Sequence, residues 1–216
     1  MIFFDLIYTL IHLDLDHFGV KSAQILKKNG RSVSVTDFIR AFRKHWTLFT
    51  NGNRITEEEF YSNILSEFGS TYSEEKALKL KDAFLESFSI YGDVIPTLEE
   101  LCNKYRLGVI TNGAASLTNN LLNRFSLEKY FDIVMNSREA GCRKPCNKIY
   151  LKALNAFGVS PKETLFVSDE YEEDLLTAKK LGMNICLIDR SGEIGVQNTL
   201  TIRSLLQLRE VMASLV

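Results

Sequence analysis

The sequence predicts an α/β fold, a parallel sheet covered by helices on both faces and interrupted after its first strand by a helical block. Three observations carry this. Ile2–Tyr8 is a short apolar run with one carboxylate inside it, the texture of a buried strand. After Pro96, short apolar runs alternate with helical patterns of about ten residues, as parallel strands and their crossovers do. Between them, residues 15–89 hold helix signals and no convincing strand.

Taken in order, the first strand is followed by a small bundle. Ser34 with Asp37 frames the start of a helix over Phe38–Phe49. Thr56 with Glu59 forms a capping box whose helix stops near Gly69. Ser73 opens another, with Leu78, Leu80, Phe84, Leu85 and Phe88 as its apolar face. Then come helix Leu98–Tyr105, strand Leu107–Thr111, helix Leu117–Phe125 and strand Phe131–Asn136. Helix Lys148–Phe157, strand Thr164–Asp169, helix Asp174–Leu181, strand Ile185–Ile188 and helix Leu205–Met212 complete the chain. The domain reading is a core of residues 1–14 and 90–216, with a helical insert of 15–89.

Composition narrows the function. The chain has 216 residues, 45% hydrophobic and 25% charged, an ordinary globular balance. Lys and Arg total 26 against 27 for Asp and Glu, a net charge of −1. That excludes a general electrostatic grip on nucleic acid or an anionic membrane, which needs concentrated positive charge. Cys102, Cys142, Cys146 and Cys186 include no CxxC pair, although Cys142 and Cys146 stand at CxxxC spacing; they read as reduced thiols. His12, His17 and His45 show no zinc-binding spacing. The apolar N-terminus carries Asp5 and has neither a basic leader nor a small-residue cleavage site. The chain therefore reads as cytoplasmic and soluble.

In a doubly wound sheet, ligands bind beyond the carboxyl ends of the strands. The polar residues at those ends are Asp5 and Thr9, then Thr111-Asn112-Gly113, then Arg143-Lys144-Pro145, then Ser168-Asp169 with Asp174. Clustered carboxylates repel, and a hard divalent cation such as Mg²⁺ relieves the repulsion. Asp5 is suited to attack phosphorus, with Thr111 and Lys144 on the phosphoryl oxygens. Each residue alone has a duller explanation, as a cap, a turn or a solvated side chain; together and in this order they point to a site.

These motifs resemble the haloacid dehalogenase superfamily. Phe4-Asp5-Leu6-Ile7-Tyr8-Thr9-Leu10 resembles its first motif, and Val109-Ile110-Thr111-Asn112-Gly113 its second. Arg143-Lys144-Pro145 resembles the third, and Phe166-Val167-Ser168-Asp169 with Asp174 the fourth. The resemblance implies a Rossmann-like sheet of strand order 3-2-1-4-5 and a type-one helical cap. It implies Asp5 as nucleophile with Lys144 as its catalytic partner, and substrate contacts from Thr9, Thr111, Asn112, Gly113 and Arg40 of the cap. It implies Mg²⁺ held by Asp5, the backbone carbonyl of Ile7, Asp169 and Asp174.

The chain departs from that pattern twice. The family's phosphatases carry a second Asp two residues after the nucleophile, as general acid and base; here it is Ile7, which transfers no proton. Ser168 stands where Gly usually precedes the metal-binding Asp. The dehalogenase branch also lacks the second Asp, and Arg40 or Arg43 resembles its cap arginine, but it replaces the metal carboxylate by Ser where Asp169 stands. The phosphonate-cleaving branch needs a desolvated cap lysine; Lys21, Lys27, Lys28 and Lys44 show no apolar pocket. The cap stripe Phe38, Phe42, Trp46 and Phe49 reads as bundle core, with Trp46 or His45 reaching the substrate as the sharper alternative. Glu170–Asp174 reads mainly as a solvated helix start.

The expectation is a hydrolase for a small phosphate ester, a monomer or homodimer, with impaired acid catalysis. Its rivals are a metal-free dehalogenase-like enzyme and a pseudoenzyme that binds a ligand or protein partner without turnover.

Overall fold

The computed structural model describes residues 1–27, 33–50 and 55–214. It divides into two compact units, Met1–His12 with Ile90–Val216, and Leu13–Ser89.

The first unit is built on a six-stranded parallel sheet. Its strands are β1 (Ile2–Phe4), β4 (Leu107–Thr111), β5 (Ile133–Asn136), β6 (Leu165–Ser168), β7 (Asn184–Ile188) and β8 (Thr201–Ile202), in the order β5-β4-β1-β6-β7-β8. The shorter strands β2 (Ile11–Leu13) and β3 (Phe88–Ile90) pair separately as a ribbon where the chain leaves and re-enters this unit. The large sheet matches the expected order, with β8 as an added edge. Strand β1 is central because every residue in it is apolar and buried, the mark of a strand covered on both faces. It pairs in parallel with β4 through Ile2↔Leu107 and with β6 through Ile2↔Leu165.

Helices α5 (Val94–Leu101), α6 (Ala115–Arg124), α7 (Ser137–Ala140), α8 (Asn147–Phe157) and α9 (Leu176–Lys180) lie between the strands, and α10 (Leu208–Ser214) follows the last one. One core cluster joins Phe3, Ile110 and Phe166 of the sheet to Tyr150, Leu154 and Phe157 of α8. A Cβ on Gly108 would meet the Phe3 and Phe157 rings at 3.0 Å, so any larger residue would press on both rings where α8 packs against the sheet.

The second unit holds α1 (Leu15–Leu26), α2 (Val35–Thr50), α3 (Glu57–Glu67) and α4 (Glu74–Glu86). Its caps follow the sequence: Thr56 and Glu59 form the capping box of α3, and Ser73 accepts the Lys76 N–H of α4. Aromatic rings fill its centre, with Phe18 against Phe42 at 4.8 Å and Phe42 stacked on Trp46 at 5.7 Å. A Cβ on Gly19 would stand 2.6 Å from Val35, so glycine lets α1 and α2 touch. No described helix is long and apolar enough to cross a membrane.

Four local expectations are corrected. Strand one ends at Phe4, not Tyr8, because Leu10 and Ile11 both donate to the Leu6 carbonyl at 2.9 Å and turn the chain. Helix α5 starts at Val94, four residues ahead of the expected Leu98, because Pro96 is tolerated in a first turn, where its missing N–H is not needed. Leu78 of α4 is exposed; Ala77, Leu80, Ala83 and Phe84 form its buried face. The expected helix from Asp174 begins as a π-helical turn at Tyr171–Leu175, closed by Leu175 N–H on the Glu170 carbonyl at 3.2 Å.

Candidate active site

Strands β1, β4 and β6 lie side by side and end at Phe4, Thr111 and Ser168, so the residues that follow emerge together. The Asp5 N–H donates to the Val167 carbonyl at 2.9 Å, which extends the ladder by one residue and fixes the Asp5 backbone. The loop after it is pinned from two sides. Arg190 donates to the Thr9 carbonyl at 2.7 Å, lies over the Tyr91 ring at 3.7 Å and forks onto Asp93 at 2.9 and 3.1 Å. The Thr9 hydroxyl donates to Asp169 Oδ1 at 2.9 Å and accepts the Asp169 N–H at 3.1 Å.

Lys144 is the centre of the arrangement. It is 1% exposed, and its ammonium donates to Asp5 Oδ1 at 2.6 Å and to Asp174 Oδ2 at 2.5 Å. The Asn112 side chain holds its backbone from both sides: Oδ1 accepts the Lys144 N–H at 2.7 Å and Nδ2 donates to the Lys144 carbonyl at 3.3 Å. Ser137 donates to the Asn112 carbonyl at 3.2 Å. Asp174 Oδ2 also accepts the Ser168 hydroxyl at 2.6 Å, and the buried Tyr150 hydroxyl donates to the Asp174 carbonyl at 2.9 Å. The π turn adds a residue to the first helical turn after β6, and Asp174 lies buried within it.

Charge is unbalanced here. Burial pushes the Asp5 carboxyl up to about 6, with Lys144 pulling it back and Asp174 adding to the rise. Burial, then the Asp5 charge, pushes Asp169 up to about 8. Burial works against the Lys144 charge, but Asp174 and Asp5 outweigh it and hold the ammonium above the ordinary lysine range.

The structure gives several of the sequence-predicted residues partners within the protein. Thr9 and Asn112, read as substrate ligands, are engaged with Asp169 and with the Lys144 backbone. Asp174, read as a metal ligand, is turned onto Lys144 and Ser168. Among the described residues, no three His, Cys, Asp or Glu side chains form a group that could hold a metal ion. Arg40 lies in the helical unit with an exposed side chain paired to Asp37 at 3.0 Å. His45 is buried against Glu67 at 2.8 Å, and Trp46 packs among Phe42, Phe49, Phe60 and Phe84. Lys21 pairs with Glu86 and Lys44 with Glu67; Lys27 is exposed and Lys28 lies outside the described residues. Glu173 pairs with Arg143 at 3.5 Å. Thr111 is buried, and its hydroxyl accepts the Gly113 N–H at 3.1 Å. Ser137, Tyr150 and Arg190 were missed: each acts through a backbone carbonyl, and no sequence spacing announces such a contact.

The family model of haloacid dehalogenase-like hydrolases matches residues 15–188. The chain belongs to this family. It is 33% identical over 161 residues to a glyceraldehyde 3-phosphate phosphatase of Methanothermobacter thermautotrophicus, covering 64% of this chain and 71% of that one. Across the first curated relatives it matches about two thirds of their length. A crystallised HAD phosphatase of Thermococcus onnurineus is 26% identical with a TM-score of 0.72, covering 98% of this chain and 96% of that one. A 2-haloacid dehalogenase of Pseudomonas syringae pv. Tomato is also 26% identical, with a TM-score of 0.71 over 100% of this chain and 98% of that one. The protein is thus a hydrolase of the superfamily whose relatives include both phosphatases and dehalogenases.

Proposed function

We propose that this hydrolase is a Mg²⁺-dependent phosphatase for a small phosphorylated metabolite, forming an aspartyl phosphate on Asp5. The single observation that carries the reading is the charge balance at the strand ends. Three carboxylates gather there against one buried cation: Lys144 pairs with Asp5 and Asp174, while Asp169 is held by Thr9 and raised by the Asp5 charge. In a metal-free dehalogenase, whose substrate is itself a carboxylate, Asp169 would be a buried acid held largely protonated or a charge repelling the substrate, and neither form serves that reaction.

Among the described residues no third carboxylate groups with Asp5 and Asp169 to hold a metal ion, but the two are near enough for the Asp5 charge to raise Asp169, and such a pair suits Mg²⁺. The ion is commonly held by one or two carboxylates and several waters rather than a closed protein cage. Asp5, Asp169 and the Ile7 carbonyl would hold it, with Asp174 acting through water. When bound, it supplies positive charge against the phosphoryl oxygens.

The chain's own groups do the rest. Asp5 Oδ1 is engaged by Lys144 at 2.6 Å, so Oδ2 attacks phosphorus. The Thr111 hydroxyl accepts from Gly113 and keeps its proton to donate to a phosphoryl oxygen. Helix α6 has Ala114 at its start and no side-chain cap, so its first N–H groups are available to the same anion. Lys144 offsets charge that develops in transfer. With Ile7 carrying no proton, the leaving alkoxide is protonated by water or by the substrate, and water then attacks the aspartyl phosphate.

The test is phosphate release from an activated aryl phosphate with Mg²⁺ or chelator, beside chloride release from 2-chloropropionate. Mg²⁺-dependent phosphate release is expected. Chloride release without metal would establish the dehalogenase reading, which Ile7 and the Pseudomonas relative favour. Neither activity would leave a binding role.

A further inference from the structure

Arg190 follows β7 by two residues, outside all four motifs, and its guanidinium joins three segments of the first unit. Nη2 donates to the Thr9 carbonyl at 2.7 Å, in the loop after Asp5. The guanidinium carbon lies 3.7 Å from the centre of the Tyr91 ring, and the Tyr91 N–H donates to the Leu10 carbonyl of the same loop at 3.3 Å. Nη1 and Nη2 fork onto Asp93 at 2.9 and 3.1 Å. Asp93 is fixed in turn by the Ser204 hydroxyl and the Leu205 N–H, both at 2.8 Å.

We propose that Arg190 is a positioning residue: by gripping the Thr9 main chain it holds the Thr9 hydroxyl against Asp169, and so sets the Asp169 carboxylate for the cation. The consequence for the cation rests on the metal site proposed above; the positioning itself does not.

Two features of the loop call for such a grip. Tyr8, one residue before Thr9, has a φ of +68°. A bulky side chain in that left-handed region costs roughly 1–2 kcal/mol. A strained conformation of this kind persists only where its surroundings over-determine it. The Tyr8 N–H bond to the Ile11 carbonyl at 2.6 Å holds the turn from one side, and the Arg190 bond to the Thr9 carbonyl holds it from the other. The second feature is the double use of the Thr9 hydroxyl, which donates to Asp169 Oδ1 at 2.9 Å and accepts the Asp169 N–H at 3.1 Å. This engages Oδ1 and leaves Oδ2 as the oxygen to face a cation. Thr9 is fully buried, so a shift of its main chain carries the hydroxyl off Asp169 with no water to replace it.

Arginine suits the task because one rigid plane serves a carbonyl, a carboxylate and a ring face together. A lysine ammonium is a point charge with no plane to lay on Tyr91. Groups that orient a metal ligand from behind typically cost about 10–100-fold in metal affinity when removed.

The test pairs Arg190 with Arg106. Arg106 directly precedes β4, at the amino end of the sheet, and makes the same kinds of contact: a bond to the Phe157 carbonyl at 3.2 Å and a place 4.3 Å from the centre of the Phe157 ring. Mg²⁺ affinity is measured by isothermal titration calorimetry, and amide hydrogen exchange at Asp169 is followed by NMR in metal-free protein. Arg190→Met should weaken Mg²⁺ binding by about tenfold or more and speed exchange of the Asp169 amide, whose acceptor is the Thr9 hydroxyl. Arg190→Lys keeps the charge beside Asp93, and with it the fold, and should recover part of the affinity. Arg106→Met should lose stability and leave Mg²⁺ affinity and Asp169 exchange unchanged. Thr9→Val removes the hydroxyl and keeps the shape; it should weaken Mg²⁺ binding as Arg190→Met does, and the double variant should be no weaker than the worse single one. Additive losses would overturn the route through Thr9. So would wild-type Mg²⁺ affinity in Arg190→Met, or an equal loss in Arg106→Met. If the wild type binds no Mg²⁺, the metal reading fails; exchange at Asp169 then decides the positioning, and exchange unchanged in Arg190→Met would overturn it.

Discussion

Replacing Lys144 by Met removes the ammonium and keeps the apolar stem. The side chain is 1% exposed and serves Asp5 at 2.6 Å and Asp174 at 2.5 Å. Without it, two buried carboxylates face each other without a cation. Deleting one partner of a buried ion pair costs about 3–5 kcal/mol. The Ser168 hydroxyl still donates to Asp174 at 2.6 Å, so the lower end applies, about 3 kcal/mol. With a urea m-value of about 2 kcal/mol/M, the midpoint falls by about 1.5 M. The assay is urea unfolding of chelator-treated protein, since a bound cation would mask the loss. Far-UV circular dichroism is the readout, because the single tryptophan, Trp46, reports the helical unit. Adding Asp174→Asn removes one of the stranded charges. The double variant should be more stable than the sum of the single effects predicts, by about 1 kcal/mol or more. A Lys144→Met midpoint within about 0.5 M of wild type, or strict additivity in the cycle, would refute the assignment of Lys144 as the cation of a buried charge cluster.

Asp5→Asn keeps volume and polarity but not nucleophilicity, so the purified variant should fold and release no phosphate in a sensitive assay. Mg²⁺ should raise the melting temperature, by about 2.7 kcal/mol of linkage at a free concentration of about 100 times Kd; an unchanged melting curve across millimolar Mg²⁺ would count against the metal site. Ile7→Asp should raise turnover of alkyl phosphates more than of aryl phosphates, with about 10²–10⁴ as the ceiling for restored acid catalysis; equal gains would argue against a missing proton donor. Asp93→Asn should cost about 2 kcal/mol at neutral pH, because the Asp93 carboxylate accepts from Arg190, Ser204 and the Leu205 N–H. Burial opposes ionisation there, but those donors outweigh it and hold the pKa below 3.8. The stabilisation is thus full above that value and lost as pH falls through the lower folded one. The gap between wild type and variant in urea should therefore be widest at neutral pH and close below about pH 4.

The strands and the residues at their ends were legible because each carries its own signal. Leu107–Ile110 is apolar apart from Gly108 and Thr111 closes that run, Asp169 directly follows β6, and Lys144, beyond α7, stood out by its Arg-Lys-Pro motif. Strands β2, β3 and β8 were not, since runs of two or three residues show no period. The start of α5 was hidden because Pro96 reads as a break when it lies inside a first turn. The π turn was hidden too: the Glu170–Asp174 spacing fits an ordinary helix start, and only the tertiary demand of Lys144 on Asp174 selects the wider turn.

Three motif side chains read as ligands also make contacts within the protein. Thr9 steadies Asp169, Asn112 steadies the Lys144 backbone, and Asp174 steadies its ammonium. Groups that act electrostatically gain most when they are held before the substrate arrives. Residue 7 stands outside this mesh. The turn around it is closed by backbone bonds of its neighbours, Leu10 and Ile11 on the Leu6 carbonyl and Tyr8 N–H on the Ile11 carbonyl at 2.6 Å. The Ile11 bonds to Leu6 and Tyr8 set Ile7 and Ile11 side by side as an isolated bridge. An isoleucine side chain at this position therefore leaves Asp5, the proposed nucleophile, with its Lys144 contact and the Thr9–Asp169 pair in place while withholding a proton donor. A loss confined to proton transfer is one that a good leaving group bypasses, which is why the contrast between aryl and alkyl phosphates separates a weakened phosphatase from a protein with no hydrolytic chemistry.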